Sequence, residues 1–131
     1  ELRDEMKEME GDPHLRARIR KLQREVANRT MLNDVKNADV VITNPTHLSI
    51  ALRFDRAKDN APIVLAKGAD QLAMKIREIA KKNRVPVIER KPVARALYGL
   101  VEVGDEIPLE LYQAVAEILA YVSRHQSIVR R

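Results

Sequence analysis

Asp39-Val40-Val41-Ile42-Thr43-Asn44-Pro45-Thr46-His47-Leu48-Ser49-Ile50-Ala51-Leu52-Arg53-Phe54 reads as two strands joined by a tight turn. Val40, Val41 and Ile42 form an unbroken apolar run, the pattern of a central strand covered on both faces. Leu48, Ile50, Leu52 and Phe54 alternate with Ser49, Ala51 and Arg53, so the second strand is expected to expose one side. Between them Pro45 fixes its own φ and Asn44 tolerates turn geometry, which makes Asn44-Pro45-Thr46-His47 the connection.

The same dipeptide carries a reaction. A reactive asparagine is ordinarily attacked by the backbone nitrogen of the next residue, but Pro45 has no N–H and that route is closed. The reverse attack remains: the Asn44 carboxamide nitrogen adds to the Asn44 main-chain carbonyl, closes a succinimide and expels Pro45 as a new amino terminus. A turn that fixes the reacting atoms raises their effective molarity, and strain in it contributes on the order of 1–3 kcal/mol. A rate constant of about 10⁻³ s⁻¹ corresponds to a barrier of roughly 21 kcal/mol, so an orienting contact worth about 4 kcal/mol separates minutes from days. His47 is the only titratable side chain of the four; it either shuttles a proton or supports the turn by hydrogen bonding. Thr46 either bonds the turn backbone or serves β-propensity ahead of the strand. By themselves these residues leave a second reading open, in which Asn44-Pro45 is a turn that never reacts.

Before the hairpin, Asp12 as N-cap and Pro13 at the first helical position start a helix. Leu15, Ile19, Leu22 and Val26 form a narrow apolar stripe on it among Arg16, Arg20, Lys21 and Arg24. So thin a stripe suits a linker helix that leans on a neighbour or a membrane surface, or a solvated helix. Leu2, Met6 and Met9 also fall at helical spacing, and Gly11 is a break at which the two segments would reorient. Asn28 to Asn37 close the helix and lead into the first strand.

After the hairpin, residues 55–61 are polar and form a loop, and Pro62 to Ala66 a third strand ended by Lys67-Gly68. A helix follows from Asp70 to Asn83 with Leu72, Ile76, Ile79 and Ala80 inward, then a fourth strand from Val85 to Ile88. That order implies a right-handed parallel crossover, and Pro86 assigns the fourth strand to an edge or end. Pro92 opens a short helix through Tyr98, with Gly99 as its stop. Pro108 opens the last helix, where Leu111, Val115, Ile118, Leu119 and Val122 make one stripe, and the chain frays beyond it. The expected fold class is α/β: a small four-stranded sheet flanked by helices, with an N-terminal helical linker arm. The expected domains are the linker 1–30, a globular domain 31–124 and a frayed tail 125–131.

The bulk properties bound the function. In 131 residues, 45% are hydrophobic and 33% charged, enough for one domain with a core and an extension. There is no Cys, which removes disulfides and thiolate metal sites. No apolar run reaches the roughly 18 residues of a membrane span, and the start at Glu1 points to a fragment. The net charge is +5, and it arises wholly after residue 44, where fifteen basic face ten acidic side chains. A basic surface raises nucleic acid, anionic lipid and acidic protein as partners. One Phe and three Tyr leave few stacking platforms, and no nucleic-acid-binding signature is present, so nucleic acid is not an expected partner. His14 and His125 have no metal-ligand spacing, and Lys67-Gly68-Ala69 lacks the rest of a phosphate-loop pattern. Asp105 and Glu106 are adjacent and diverge, which unsuits them as an acid/base pair. No metal or cofactor is expected.

Asn44-Pro45-Thr46-His47 resembles the NPTH signature of the FlhB/YscU family, the export-switch proteins of flagellar and injectisome type III secretion. The resemblance continues through Gly11-Asp12-Pro13, Gln23-Arg24-Glu25, Ala66-Lys67-Gly68, Arg84-Val85-Pro86, Pro92-Val93-Ala94-Arg95-Ala96-Leu97-Tyr98 and Ile107-Pro108, about residues 11 to 122. Its details are more similar to the flagellar branch; Val93 departs from the family's more frequent Leu, an apolar exchange. The resemblance implies a missing N-terminal membrane domain, and a globular part at the cytoplasmic face of the bacterial inner membrane. It implies one self-inflicted cut between Asn44 and Pro45, a single-turnover event rather than enzymatic turnover. The site residues it implies are Asn44, Pro45, Thr46 and His47. It also implies a switch of export from rod and hook to filament subunits, with export apparatus proteins, export substrates and a length-sensing protein as partners. Two rivals stand beside it: a non-cleaving docking module for those partners, and a basic binder of nucleic acid or lipid surfaces whose affinity falls steeply with salt.

Overall fold

The hairpin forms the middle of the sheet in the computed structural model, which describes the backbone of residues 11–130 and the side chains up to His125. β1 (Val40–Asn44) pairs antiparallel with β2 (Leu48–Arg53), with Ile42 opposite Ile50 and Asn44 opposite Leu48. β3 (Ile63–Ala69) adds antiparallel to β2 and β4 (Val87–Glu89) parallel to β1, giving the order β3-β2-β1-β4. The helices are α1 (Pro13–Asp34), α2 (Asp70–Lys82), α3 (Lys91–Leu100) and α4 (Tyr112–Arg130), with 3-10 turns at Val35–Asn37 and Leu109–Leu111. This is the expected α/β class. β3 and β4 run in the same direction, so the crossover through α2 is parallel, but it passes over β2 and β1. Pro86 stands just before the edge strand, where no partner needs an N–H from it and its carbonyl accepts from Val41 at 2.8 Å.

Strand side chains alternate between faces, and two cores result. On one face Val40, Ile42, Ile50, Leu52 and Val64 pack with Ala94 and Leu97 of α3 and Val115, Ile118 and Val122 of α4. On the other, Val41, Ala51 and Ala66 pack with Ile76 and Ala80 of α2 and with Met31 and Val35. A bulge at Leu65, between the pairs Ala51 with Ala66 and Leu52 with Val64, lets Val64 and Ala66 serve opposite cores.

Three expectations fail for identifiable reasons. β2 does not expose one side: Ser49 and Ala51 are fully buried beneath α2. Their small side chains admit the helix, and the Ser49 hydroxyl is satisfied by donating to the Ala73 carbonyl at 2.9 Å. β3 does not end at Lys67-Gly68: both pair with β2, and the strand passes into α2 with no intervening loop. Gly68 is thus a strand residue at a close approach, where a Cβ would lie 2.6 Å from Leu72 Cγ and 2.9 Å from Leu72 Cβ. α3 does not stop at Gly99, which keeps negative φ; the helix runs to Leu100 and leaves through extended Val101. Its last turn is capped by Lys67, whose ammonium donates to the Tyr98 carbonyl at 2.9 Å, lies 5.0 Å from the Tyr98 ring centroid and 3.5 Å from the Glu102 carboxylate.

α2 ends in a Schellman arrangement. Arg84 takes φ +59°, Val85 N–H donates to the Ala80 carbonyl at 2.8 Å, and buried Val85 and Ala80 share one core. The loop after β2 is held by a two-point ion pair: Arg53 Nε and Nη2 donate to the Asp59 carboxylate at 3.2 and 2.9 Å, and Asp55 N–H adds a bond at 2.8 Å. The Arg53 bonds first, and the Asp55 N–H second, hold the Asp59 carboxyl below its ordinary value.

Contacts divide the chain into Glu1–Thr30 and Met31–Arg131. In the first unit Asp12 caps α1, its carboxylate accepting from His14 N–H at 2.9 Å, and the helix starts at Pro13. Gly11 is itself helical and the break falls at Asp12; Leu2, Met6 and Met9 lie outside the described residues. Ile19, Leu22 and Val26 are about half exposed. No described helix is long and apolar enough to cross a membrane.

Gly68→Ala is expected to lower stability by about 1–3 kcal/mol, measured by thermal or urea unfolding. Adding Leu72→Ala, which removes the obstructing atoms, is expected to make the pair non-additive. The Asp59 carboxyl is depressed in the folded state, so its contribution is fully present above the ordinary carboxylate range and is lost as pH falls through the folded value. Urea midpoints between about pH 6 and pH 2 are expected to fall less steeply in Asp59→Asn than in the parent chain.

Candidate functional site

The turn 44–47 is built by its own backbone. His47 N–H donates to the Asn44 carbonyl at 3.0 Å, Pro45 occupies the second position and Thr46 the third, with φ +70°. Proline at the second position with positive φ at the third is the type II combination, which ordinarily takes Gly or Asn at the third. A β-branched residue there is an outlier, costing on the order of 1–3 kcal/mol. The pairing of Asn44 with Leu48, and the fixed φ of Pro45, leave Thr46 to absorb the reversal.

The flanks of the turn are tied to neighbouring elements. Arg90 N–H donates to the Thr43 carbonyl at 3.0 Å, one residue before Asn44. Asp70 N–H donates to the His47 carbonyl at 3.0 Å, and Asp70 itself has φ +53°. The carboxyl ends of β1, β3 and β4 therefore meet at one edge, from which α2 and α3 start. In open α/β sheets such an edge is the usual place for a site.

Asn44 and Pro45 are half-buried, Thr46 and His47 exposed. Among the described residues the Asn44 carboxamide, the Thr46 hydroxyl and the His47 ring have no hydrogen-bond partner. The carboxamide is thus not engaged elsewhere. The bond from His47 falls on the carbonyl that Asn44 cyclisation would attack, where it polarises the ground state and opposes the charge of an oxyanion. The sequence brought the four residues together by adjacency; the left-handed Thr46, the role of the His47 main chain and the anchors at Asp70 and Arg90 carried no local signal. His14 and His125 are exposed, and the His125 ring stacks on Tyr121 with centroids 4.1 Å apart.

A concavity of about 510 Å³ lies beside the loop after β2, lined mostly by apolar groups that include Phe54, Pro62, Tyr112 and Leu119, with Arg56 and Arg124 at hand. Its apolar lining suits an apolar group.

The FlhB HrpN YscU SpaS Family matches residues 1–122. Flagellar biosynthetic protein FlhB of Salmonella typhimurium is 55% identical over 122 residues, which are 93% of this chain and 32% of that protein. Its Bacillus subtilis counterpart is 51% identical over 93% of this chain and 34% of its own length. The chain thus spans about a third of the length of these relatives. The cytoplasmic domain of FlhB from Shewanella putrefaciens superposes with a TM-score of 0.73 at 39% identity, covering 79% of this chain and 81% of that one. A mutated EscU C-terminal domain gives 0.69 at 30% identity over 71% and 93%. A match of this extent in sequence, with the same fold in solved neighbours, means that the chain belongs to the FlhB HrpN YscU SpaS family.

Proposed function

We propose that this chain is the cytoplasmic part of a flagellar type III export apparatus protein, and that it cuts itself once between Asn44 and Pro45. The observation that carries the reading is the His47 N–H on the Asn44 carbonyl, in a turn that holds Thr46 left-handed. The Asn44 carboxamide nitrogen forms a bond to the Asn44 carbonyl carbon and loses a proton. The resulting oxyanion is met by the His47 N–H. The bond to Pro45 nitrogen then breaks, and that nitrogen takes up a proton, relayed by water or the exposed His47 ring. Residue 44 ends as a five-membered succinimide, which water reopens to a free carboxyl terminus. The product releases the strain at Thr46, which favours the cut state. Solved EscU C-terminal domains include forms with an asparagine changed to Ala or Asp, and a form with the following proline changed to Ala. Asn44-Pro45 is the one Asn-Pro of this chain.

The two pieces stay together. β1 ends the shorter piece, lies between β2 and β4, and buries Val40, Val41 and Ile42 completely. Each such side chain contributes about 1.5–3 kcal/mol. The cut therefore changes one edge of the sheet and leaves the core in place. In this reading the change at that edge takes part in switching export from rod and hook to filament subunits. Export apparatus proteins, export substrates and a length-sensing protein are the partners, at the cytoplasmic face of the inner membrane. The apolar groove beside Phe54 and Leu119 favours a second reading, a docking module that needs no cut.

Intact mass and denaturing gels distinguish the two. The parent chain is expected to resolve into residues 1–44 and 45–131. Asn44→Ala is expected to stay whole with unchanged melting, and Asn44→Asp to cut more than a hundredfold more slowly because a carboxylate is a poor nucleophile here. A parent chain that remains whole after days at neutral pH, or an Asn44→Ala protein that supports the switch to filament export as well as the parent, returns the function to docking alone.

A further inference from the structure

Resting on the cleavage reading, we infer that Asp70 is a positioning residue for the cut, acting through its main chain. His47 uses both backbone groups: its N–H holds the Asn44 carbonyl, and its own carbonyl is held by Asp70 N–H, each at 3.0 Å. The ladder between β2 and β3 ends with Leu48 opposite Ala69, so the bond from Asp70 extends it by one residue onto the turn. Asp70 reaches His47 because β3 enters α2 without a loop, and this joint places residue 70 at φ +53°. Asp, Asn and Gly tolerate that conformation, whereas a β-branched residue does not. The Asp70 side chain is exposed and forms no hydrogen bond among the described residues, so its conformational tolerance, not its carboxylate, matters. Because α2 is pinned by buried Ala73, Ile76 and Ala80, a residue that forces φ negative would have to be accommodated by turning the 69–70 peptide. That would swing its N–H off His47, slacken the turn and withdraw the donor from the Asn44 carbonyl.

The experiment is a time course of cutting, read by intact mass, in the parent chain and in Asp70→Gly, Asp70→Asn and Asp70→Val, with melting curves for each. Asp70→Gly and Asp70→Asn are expected to cut within about threefold of the parent rate, and Asp70→Val at least tenfold more slowly. Hydrogen exchange in Asn44→Ala, which cannot cut, reads the bond without relying on Asp70→Val to fold: the residue 70 amide is expected to be protected at least a hundredfold. A folded Asp70→Val that cuts at the parent rate overturns the inference, as does an Asp70→Gly that slows as much as Asp70→Val, or an unprotected amide. A parent chain that never cuts overturns the cleavage reading, and any role of Asp70 in cutting with it, while amide protection still reports the bond.

Discussion

One hydrogen bond, from His47 N–H to the Asn44 carbonyl, sets the turn between β1 and β2. It closes a turn in which proline fixes one dihedral and threonine must accept a left-handed one. Alone, such a turn would relax, because β-branched residues disfavour that region by more than the bond returns in water. It persists because the sheet over-determines it. β1 and β2 are locked in register by buried side chains on both faces, and a slip of one residue would turn each of those side chains to the wrong core.

The same locking means that a covalent break at the turn, as proposed, would leave a stable fold. The strand before the turn is central, so its loss would expose two cores at once, while the turn itself is at the rim. Chemistry at the rim would change the connection between two strands without changing what covers them. Among the described residues strain is likewise confined to the periphery of the sheet: the non-glycine residues at positive φ are Thr46, Asp70 and Arg84, the first in the turn and the other two at the ends of α2. Thr46 is held by the turn bond from His47 to Asn44, Asp70 by its bond to His47 and Arg84 by a helix-end motif, which is how unfavourable dihedrals survive in a folded chain.

The α2 face also shows how closely packing and backbone path are linked. Gly68 and Ser49 are small where the helix crosses, Ala73 receives the Ser49 hydroxyl, and Leu72 fills the space that any larger residue at 68 would claim. The direct joint from β3 to α2 follows from this closeness, and the joint in turn brings residue 70 beside the turn. A strand, a helix and the turn at Asn44-Pro45 are thus fixed by one set of contacts.

Much was legible in the residues alone. The apolar run of β1, the helix stripes at Ile76 and Ile118 and the cap at Asp12-Pro13 depend on periodicity and local sterics, which neighbours in sequence carry. The possible reaction at Asn44 was legible for a stronger reason: the missing N–H of Pro45 is covalent and holds in any fold. The burial of Ser49, the continuation of β3 through Gly68, the passage of α3 through Gly99 and the left-handed Thr46 were decided by tertiary structure. Each depends on a segment distant in the chain, such as Ala73 over Ser49 or Lys67 on the Tyr98 carbonyl. Local sequence sets which face is apolar and which bonds are chemically available, while the identity of what covers a face, and the dihedral a turn must adopt, are fixed only when remote segments compete for the same space.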